Sequence, residues 1–99
     1  MWPILFLALL AQAPDYLADG LKALDAGKPD AAVEALTKAV AADPVDYSAH
    51  FNLALLCERT GDPLKAVHHW KAYLKLDNAG QWAEIARRQL ERLRQSVIR

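Results

Sequence analysis

Apolar residues recur along most of the chain at intervals of three and four, the spacing of one face of an α-helix. The clearest stripe lies near the C-terminus, where Trp82, Ala86, Leu90, Leu93 and Val97 follow one another at steps of 4, 4, 3 and 4. The same spacing in the rest of the chain predicts four more helices. The five predicted helices span about 14–26, 30–42, 46–60, 63–76 and 80–97.

Glycine and proline mark the ends of these helices. Gly27 and Gly61 each follow an apolar stripe and suit a helix C-terminus, where a residue with positive φ is favoured. Asp62-Pro63 has the form of an N-cap followed by the first helical residue, a position where the missing N–H of proline costs nothing. Asp43-Pro44 ends the second helix, because proline cannot continue it.

The chain is similar to itself when it is shifted by 34 residues. The matching positions are the small residues, turn residues and apolar positions that a structural repeat must preserve. They pair Leu17 with Phe51, Gly20 with Ala54, Leu21 with Leu55, Gly27 with Gly61, Pro29 with Pro63, Ala32 with Ala66, Val33 with Val67, Leu36 with Trp70, Val40 with Leu74, and Asp43 with Asp77.

These positions resemble the signature of the tetratricopeptide repeat (TPR) family, W-x2-L-G-x2-Y followed by A-x3-F and then proline. The first unit, about 13–46, reads Tyr16-x2-Asp19-Gly20-x2-Ala23, Ala32-x3-Leu36 and Pro44, and the second, about 47–80, reads His50-x2-Leu53-Ala54-x2-Cys57, Ala66-x3-Trp70 and Asn78. Asp19 departs from the pattern, since a charge stands where an apolar residue normally packs. The resemblance implies an all-α fold: two TPR hairpins and a C-terminal capping helix, about 80–97, in a short right-handed solenoid.

In TPR proteins the first helix of each hairpin lines a concave groove, so the resemblance also implies a binding surface. The groove is expected to take an apolar helix or an extended peptide of a protein partner. Leu17 and Leu21 stand where the carboxylate-binding TPR clamp carries Lys and Asn, so an apolar groove is expected. The predicted lining residues are Leu17, Leu21, Leu24, Asp25, Phe51, Asn52, Leu55, Glu58 and Arg59.

The segment before the repeats, residues 1–13, is almost wholly apolar from Trp2 to Ala11. It is about half as long as the roughly 20 apolar residues of a transmembrane helix and fits the core of a secretory signal peptide. Ala11-Gln12-Ala13 has the small-x-small form of a cleavage site, although no basic residue precedes the apolar run and Pro14 follows it. A cleaved signal, a membrane anchor, and a segment packed on the first helix or a partner are three open interpretations.

Charge is balanced overall, with 12 basic and 12 acidic side chains, but the C-terminal segment is basic. Arg87, Arg88, Arg92 and Arg94 form a possible contact face for phosphate or an acidic partner. The alternative is a solvated helix face with pairs such as Glu84–Arg88. Because there is no net positive charge, nucleic acid is not the expected partner.

Few residues offer catalytic or metal chemistry. Cys57 is the single cysteine, so no intramolecular disulfide is possible, and a buried apolar role is expected. His68 and His69 are adjacent, so on a helix they point about 100° apart and do not readily share a metal ion; they are interpreted, with His50, as solvated imidazoles. Phosphate-loop, nucleophile-elbow and zinc-protease motifs do not occur. No catalytic site, metal or cofactor is therefore expected.

The leading hypothesis is a non-catalytic adaptor or scaffold, similar to small bacterial TPR proteins that are exported or held in the cell envelope. The alternative is a structural subunit of a membrane-associated complex, anchored by Trp2–Ala11. Binding of nucleic acid through the basic helix ranks last, and a cytoplasmic location stays an alternative. Two repeats are few for a stable solenoid, so a complex with a partner, or a homo-oligomer, is expected.

Overall fold

A computed structural model describes residues 15–97 of the chain, apart from the side chain of Val97. The described part is helical, as predicted, and each helix lies within two residues of its predicted bounds. The five helices are α1 (Tyr16–Asp25), α2 (Pro29–Ala42), α3 (Tyr47–Arg59), α4 (Pro63–Leu76) and α5 (Gln81–Val97).

Local sequence signals account for the helix ends. The side chains of Asp15, Asp46 and Asp62 each accept a hydrogen bond from a backbone N–H three residues on, at 3.0, 3.1 and 3.2 Å, and so cap α1, α3 and α4. Gly27 and Gly61 adopt φ of +71° and +81°, which confirms their predicted place after a helix. These capping and turn residues fix where the chain reverses.

The helices pack as two hairpins in series. In the first hairpin α1 packs on α2, in the second α3 packs on α4, while α2 contacts α3 and α4 contacts α5. One shared core runs through these contacts and includes Ala32, Leu36, Leu53, Ala54, Leu56, Cys57, Ala66, Trp70, Tyr73, Ala83, Ala86 and Leu93.

Small residues set the distance between the helices of a hairpin. A Cβ atom placed on Gly20 would lie 2.7 Å from Cγ of Leu36, closer than real carbon atoms approach. Ala54, Ala32 and Ala66, at the other predicted small positions, are fully buried. The close approach of the helices explains why the repeat preserves small residues there.

The capping helix differs from its predicted register at one end. Ala83, Ala86 and Leu93 are buried and Leu90 is half-buried, but Trp82 remains 54% exposed. The buried stripe begins at Ala83 rather than Trp82, because Ala83 and Ala86 are the residues that α5 contributes to the core where it packs on α4. The prediction of a stripe starting at Trp82 was therefore wrong, and the indole lies at the edge of the α4–α5 contact.

Within residues 15–97, no helix combines the length and the apolar character that crossing a membrane requires. The apolar segment Trp2–Ala11, and with it the predicted boundary after residue 13, lies outside the described residues.

Candidate functional site

The predicted groove residues are distributed over several environments. Leu17, Leu24, Phe51 and Leu55 are half-buried and pack against the core, whereas Leu21 is 39% exposed. Asp25 and Arg59 are exposed at the ends of their helices. Five of the nine predicted residues line three separate concavities, so the structure does not bring the predicted set together in one groove.

Phe51 and Asn52 lie together in a concavity of about 260 Å³. It is bounded by the first turns of α3, the C-terminal half of α4 and the start of α5. We call it the aromatic pocket, and its lining residues are Tyr47, Ser48, Phe51, Asn52, Tyr73 and Trp82. Four of the six are aromatic, on three helices that the chain brings together only by folding.

Phe51 is the centre of the aromatic pocket. Its ring meets those of Trp70, Tyr73 and Trp82 edge-on, with centroids 4.9, 5.2 and 5.5 Å apart. This geometry places the positive edge of one ring near the negative face of another, which is favourable beyond simple burial. Phe51 therefore holds the pocket together, while the rings of Tyr47 and Trp82 are about half exposed, at 53% and 54%.

Polar groups at the aromatic pocket are ordered by the helices themselves. Asn52 Nδ2 donates to the backbone carbonyl of Ser48 at 2.9 Å, and the Tyr73 hydroxyl donates to Asp77 Oδ2 at 2.5 Å. Burial, together with the hydrogen bond to Asp77, raises the pKa of Tyr73 to about 12, so the phenol stays protonated. The hydrogen bond to Ser48 uses the nitrogen of the Asn52 amide, so the side-chain oxygen can accept a hydrogen bond from a partner.

Glu58 differs from the other predicted groove residues. Its carboxylate accepts from the Trp70 indole Nε1 at 2.8 Å, and it also pairs with the Arg92 guanidinium. These bonds join α3 to α4 and to α5. The side chain predicted to line the groove thus has a structural role inside the repeat.

Other predicted groove residues line two further concavities. Leu24 and Arg59 line one of about 220 Å³ beside the turn after α1. Leu17 lines another of about 370 Å³, together with Asp15, Asp43 and Asp46. All three of these aspartates accept hydrogen bonds from nearby backbone N–H groups, so their carboxylates are already used to fix the chain.

The basic face of α5 is engaged in bonds within the chain. Arg87 donates to the carbonyl oxygen of Asn78 and lies 3.6 Å from Glu84, and Arg88 lies 3.6 Å from the same glutamate. Arg92 pairs with Glu58, and Arg94 is exposed near the end of the helix. The predicted Glu84–Arg88 pair is confirmed. Three of the four predicted arginines therefore pair with oxygen atoms of the same chain.

The interpretation of the histidines as solvated was wrong for His50, which is 5% exposed. Its Nδ1 lies 3.2 Å from Nδ1 of His69, and its Nε2 lies 3.0 Å from the Pro44 carbonyl oxygen. Packing of α3 on α4 forms this contact, which the sequence spacing alone does not show. No three His, Cys, Asp or Glu side chains among residues 15–97 are grouped to hold a metal ion.

Cys57 is buried, as predicted. Burial, and then the nearby Asp62 carboxylate, raise the pKa of its thiol. The neutral thiol that this favours is a poor nucleophile and a poor metal ligand. Cys57 therefore acts as part of the apolar core.

Sequence reasoning missed four residues of the aromatic pocket. Tyr47 stands four residues before Phe51 and so shares its helix face, which is a signal the sequence did contain. Ser48 lies beside it on the same turn. Tyr73 and Trp82 had no such signal, because their positions depend on how α4 and α5 pack onto α3.

The sequence profile of the family described as "Tetratricopeptide repeat" matches residues 17–81, about two thirds of the chain. The matched region begins at the second residue of α1, contains α2, α3 and α4, and ends at the first residue of α5. No curated protein shows significant similarity to the chain.

Proposed function

The chain belongs to the tetratricopeptide repeat family, and on that premise we propose that it is a non-catalytic adaptor that holds a protein partner at the aromatic pocket. Repeats of this family generally mediate protein–protein interaction. The observation that carries the finer proposal is the pair of half-exposed aromatic residues, Tyr47 and Trp82, which line the aromatic pocket together with Phe51.

The chemistry of the aromatic pocket suits one or two apolar side chains of a partner helix or extended peptide. Tyr and Trp are enriched among the residues that dominate binding energy, because they bury a large area while keeping a polar group at the edge. The volume of about 260 Å³ is slightly below the roughly 300–1,000 Å³ of small-molecule sites. Asn52 would then orient the partner backbone through its amide.

The experiment is quantitative affinity capture by the full chain and by two matched variants. Trp82→Ser and Leu64→Ser each remove an exposed apolar side chain, at 54% and 67% exposure, from two different helices. We expect Trp82→Ser to bind the main partner at least tenfold more weakly, which corresponds to about 1.4 kcal/mol of binding free energy. Leu64→Ser should retain it, since Leu64 is outside the aromatic pocket. Equal loss in both variants, or in neither, would contradict the assignment.

The N-terminal segment favours a cell-envelope location for this adaptor. We propose export to the periplasm or envelope, because Trp2–Ala11 has the length and character of a signal core. A second candidate function, a structural subunit of a membrane-associated complex, is favoured by the same segment if it is retained. For both candidate functions, the partner could be a second copy of the chain.

Intact mass of the native protein separates these two candidates. Removal of about 13 residues would support the exported adaptor, since this is where the small-x-small pattern ends. A full-length mass in the membrane fraction would support the anchored subunit and contradict cleavage.

A further inference from the structure

The contact between His50 and His69 connects three parts of the repeat. His50 lies on α3, His69 lies on α4, and the Pro44 carbonyl belongs to the loop between α2 and α3. The imidazole pair therefore ties the connection between the two hairpins to both helices of the second hairpin. Neither the family match nor the aromatic pocket accounts for this arrangement.

Hydrogen-bond chemistry fixes where the protons must be. A carbonyl oxygen only accepts, so Nε2 of His50 carries the hydrogen that it donates to Pro44. In the neutral ring Nδ1 of His50 is then an acceptor, and His69 must donate from its own Nδ1 across the 3.2 Å gap. The neutral pair thus has one defined tautomer on each ring.

The pair can take up one further proton but not two. If His50 becomes an imidazolium, its Nδ1–H donates to His69, which then carries its hydrogen on Nε2. If both rings become imidazolium, two Nδ1–H groups face each other 3.2 Å apart with no acceptor between them. We infer that the His50–His69 pair is a one-proton lock that holds α3 against α4 beside the loop from the first hairpin, and that this contact is released when both rings are protonated.

The surroundings of His69 oppose a proton on that ring. The ionisable groups that act on His69 are His50 on α3 and His68 and Lys65 on its own helix, all of them basic. The carboxylates of the adjoining loop, Asp43 and Asp46, accept hydrogen bonds from the backbone N–H groups of Val45 and Ala49. Neither loop carboxylate is among the groups that act on His69.

The direction of the pH effect follows from proton binding. Burial, then His68, His50 and Lys65, lower the pKa of His69 from 6.5 to about 4. Between pH 6.5 and about 4 the unfolded chain binds a proton at His69 that the folded chain does not bind, so acid favours unfolding. The contribution is fully present above about pH 6.5 and is lost as the pH falls toward about 4.

The first test reads the protons directly. Two-bond ¹H–¹⁵N spectra of the full-length protein at pH 7.5 should show His50 protonated at Nε2 and His69 at Nδ1. As the pH is lowered, no more than one of the two rings should become imidazolium while the amide spectrum remains that of the folded chain. Protonation of both rings at Nε2 at pH 7.5, or two imidazolium rings in the folded protein, would overturn the lock.

The second test uses urea unfolding between pH 7.5 and 4.5 with two matched variants. In His69→Gln the amide can turn to donate to neutral His50 or accept from charged His50, so the exclusion of the second proton disappears. As the pH falls, the equilibrium constant for unfolding should rise more steeply for the unchanged protein than for His69→Gln. The difference should be up to about tenfold for each pH unit. His68→Gln leaves the His50–His69 contact in place but removes one of the basic groups that lower the pKa of His69, so its pH slope should lie between those of the unchanged protein and His69→Gln. Equal pH slopes for the unchanged protein and His69→Gln would overturn the lock.

Discussion

The carboxylate of Glu58 bonds to side chains from two other helices, and it shows how one residue can hold the repeat together. Trp70 is fully buried, so its indole N–H has no access to water and depends on Glu58. A buried donor that loses its acceptor costs about 1–3 kcal/mol. The pair with Arg92 is worth less, since the Arg92 side chain is 60% exposed and water screens the charge.

Two substitutions of Glu58 separate these contributions. Glu58→Ala removes the acceptor of the Trp70 indole and should lower the free energy of unfolding by about 1–3 kcal/mol. Glu58→Gln keeps one acceptor oxygen for the indole and loses the charge and the second oxygen that face the exposed Arg92, so we expect a loss of about 1 kcal/mol or less. Urea unfolding followed by tryptophan fluorescence measures both. An equally small effect of the two variants would show that the indole bond contributes little.

At the level of the helices, local sequence signals were sufficient to predict the features that single residues determine. Asp62-Pro63 caps α4, and Gly27 and Gly61 end their helices with positive φ, because these preferences reside in single residues. The 34-residue repeat likewise placed the small residues of the hairpins. Bounds, caps and hairpin pairing could therefore be predicted from the sequence.

Helix rotation could not be predicted in the same way. Trp82 satisfies the apolar spacing of α5, yet the closely packed alanines Ala83 and Ala86 determine which face is buried. The burial of His50 also depends on the packing of α3 against α4. Tyr73 and Trp82 reach the aromatic pocket from two other helices, which explains why the sequence did not predict that they line it.

At the scale of the whole molecule, two hairpins and α5 form one core and leave an aromatic concavity near the start of α3 and α5. The core buries Trp70 and Tyr73, whereas Tyr47 and Trp82 stay about half exposed on the same cluster. A cluster with a buried interior and an exposed rim is the form expected of a surface completed by a partner. We therefore expect a protein partner to bind there.

Site-specific photo-crosslinking in cells tests whether a partner binds at the aromatic pocket. A photoreactive phenylalanine at Tyr47, which is 53% exposed at the aromatic pocket, is compared with the same group at Leu64, which is 67% exposed outside it. We predict a discrete adduct from Tyr47, either to another protein or to a second 11.0 kDa copy, and none of that mass from Leu64. The same adducts from both positions, or none from Tyr47, would contradict the account.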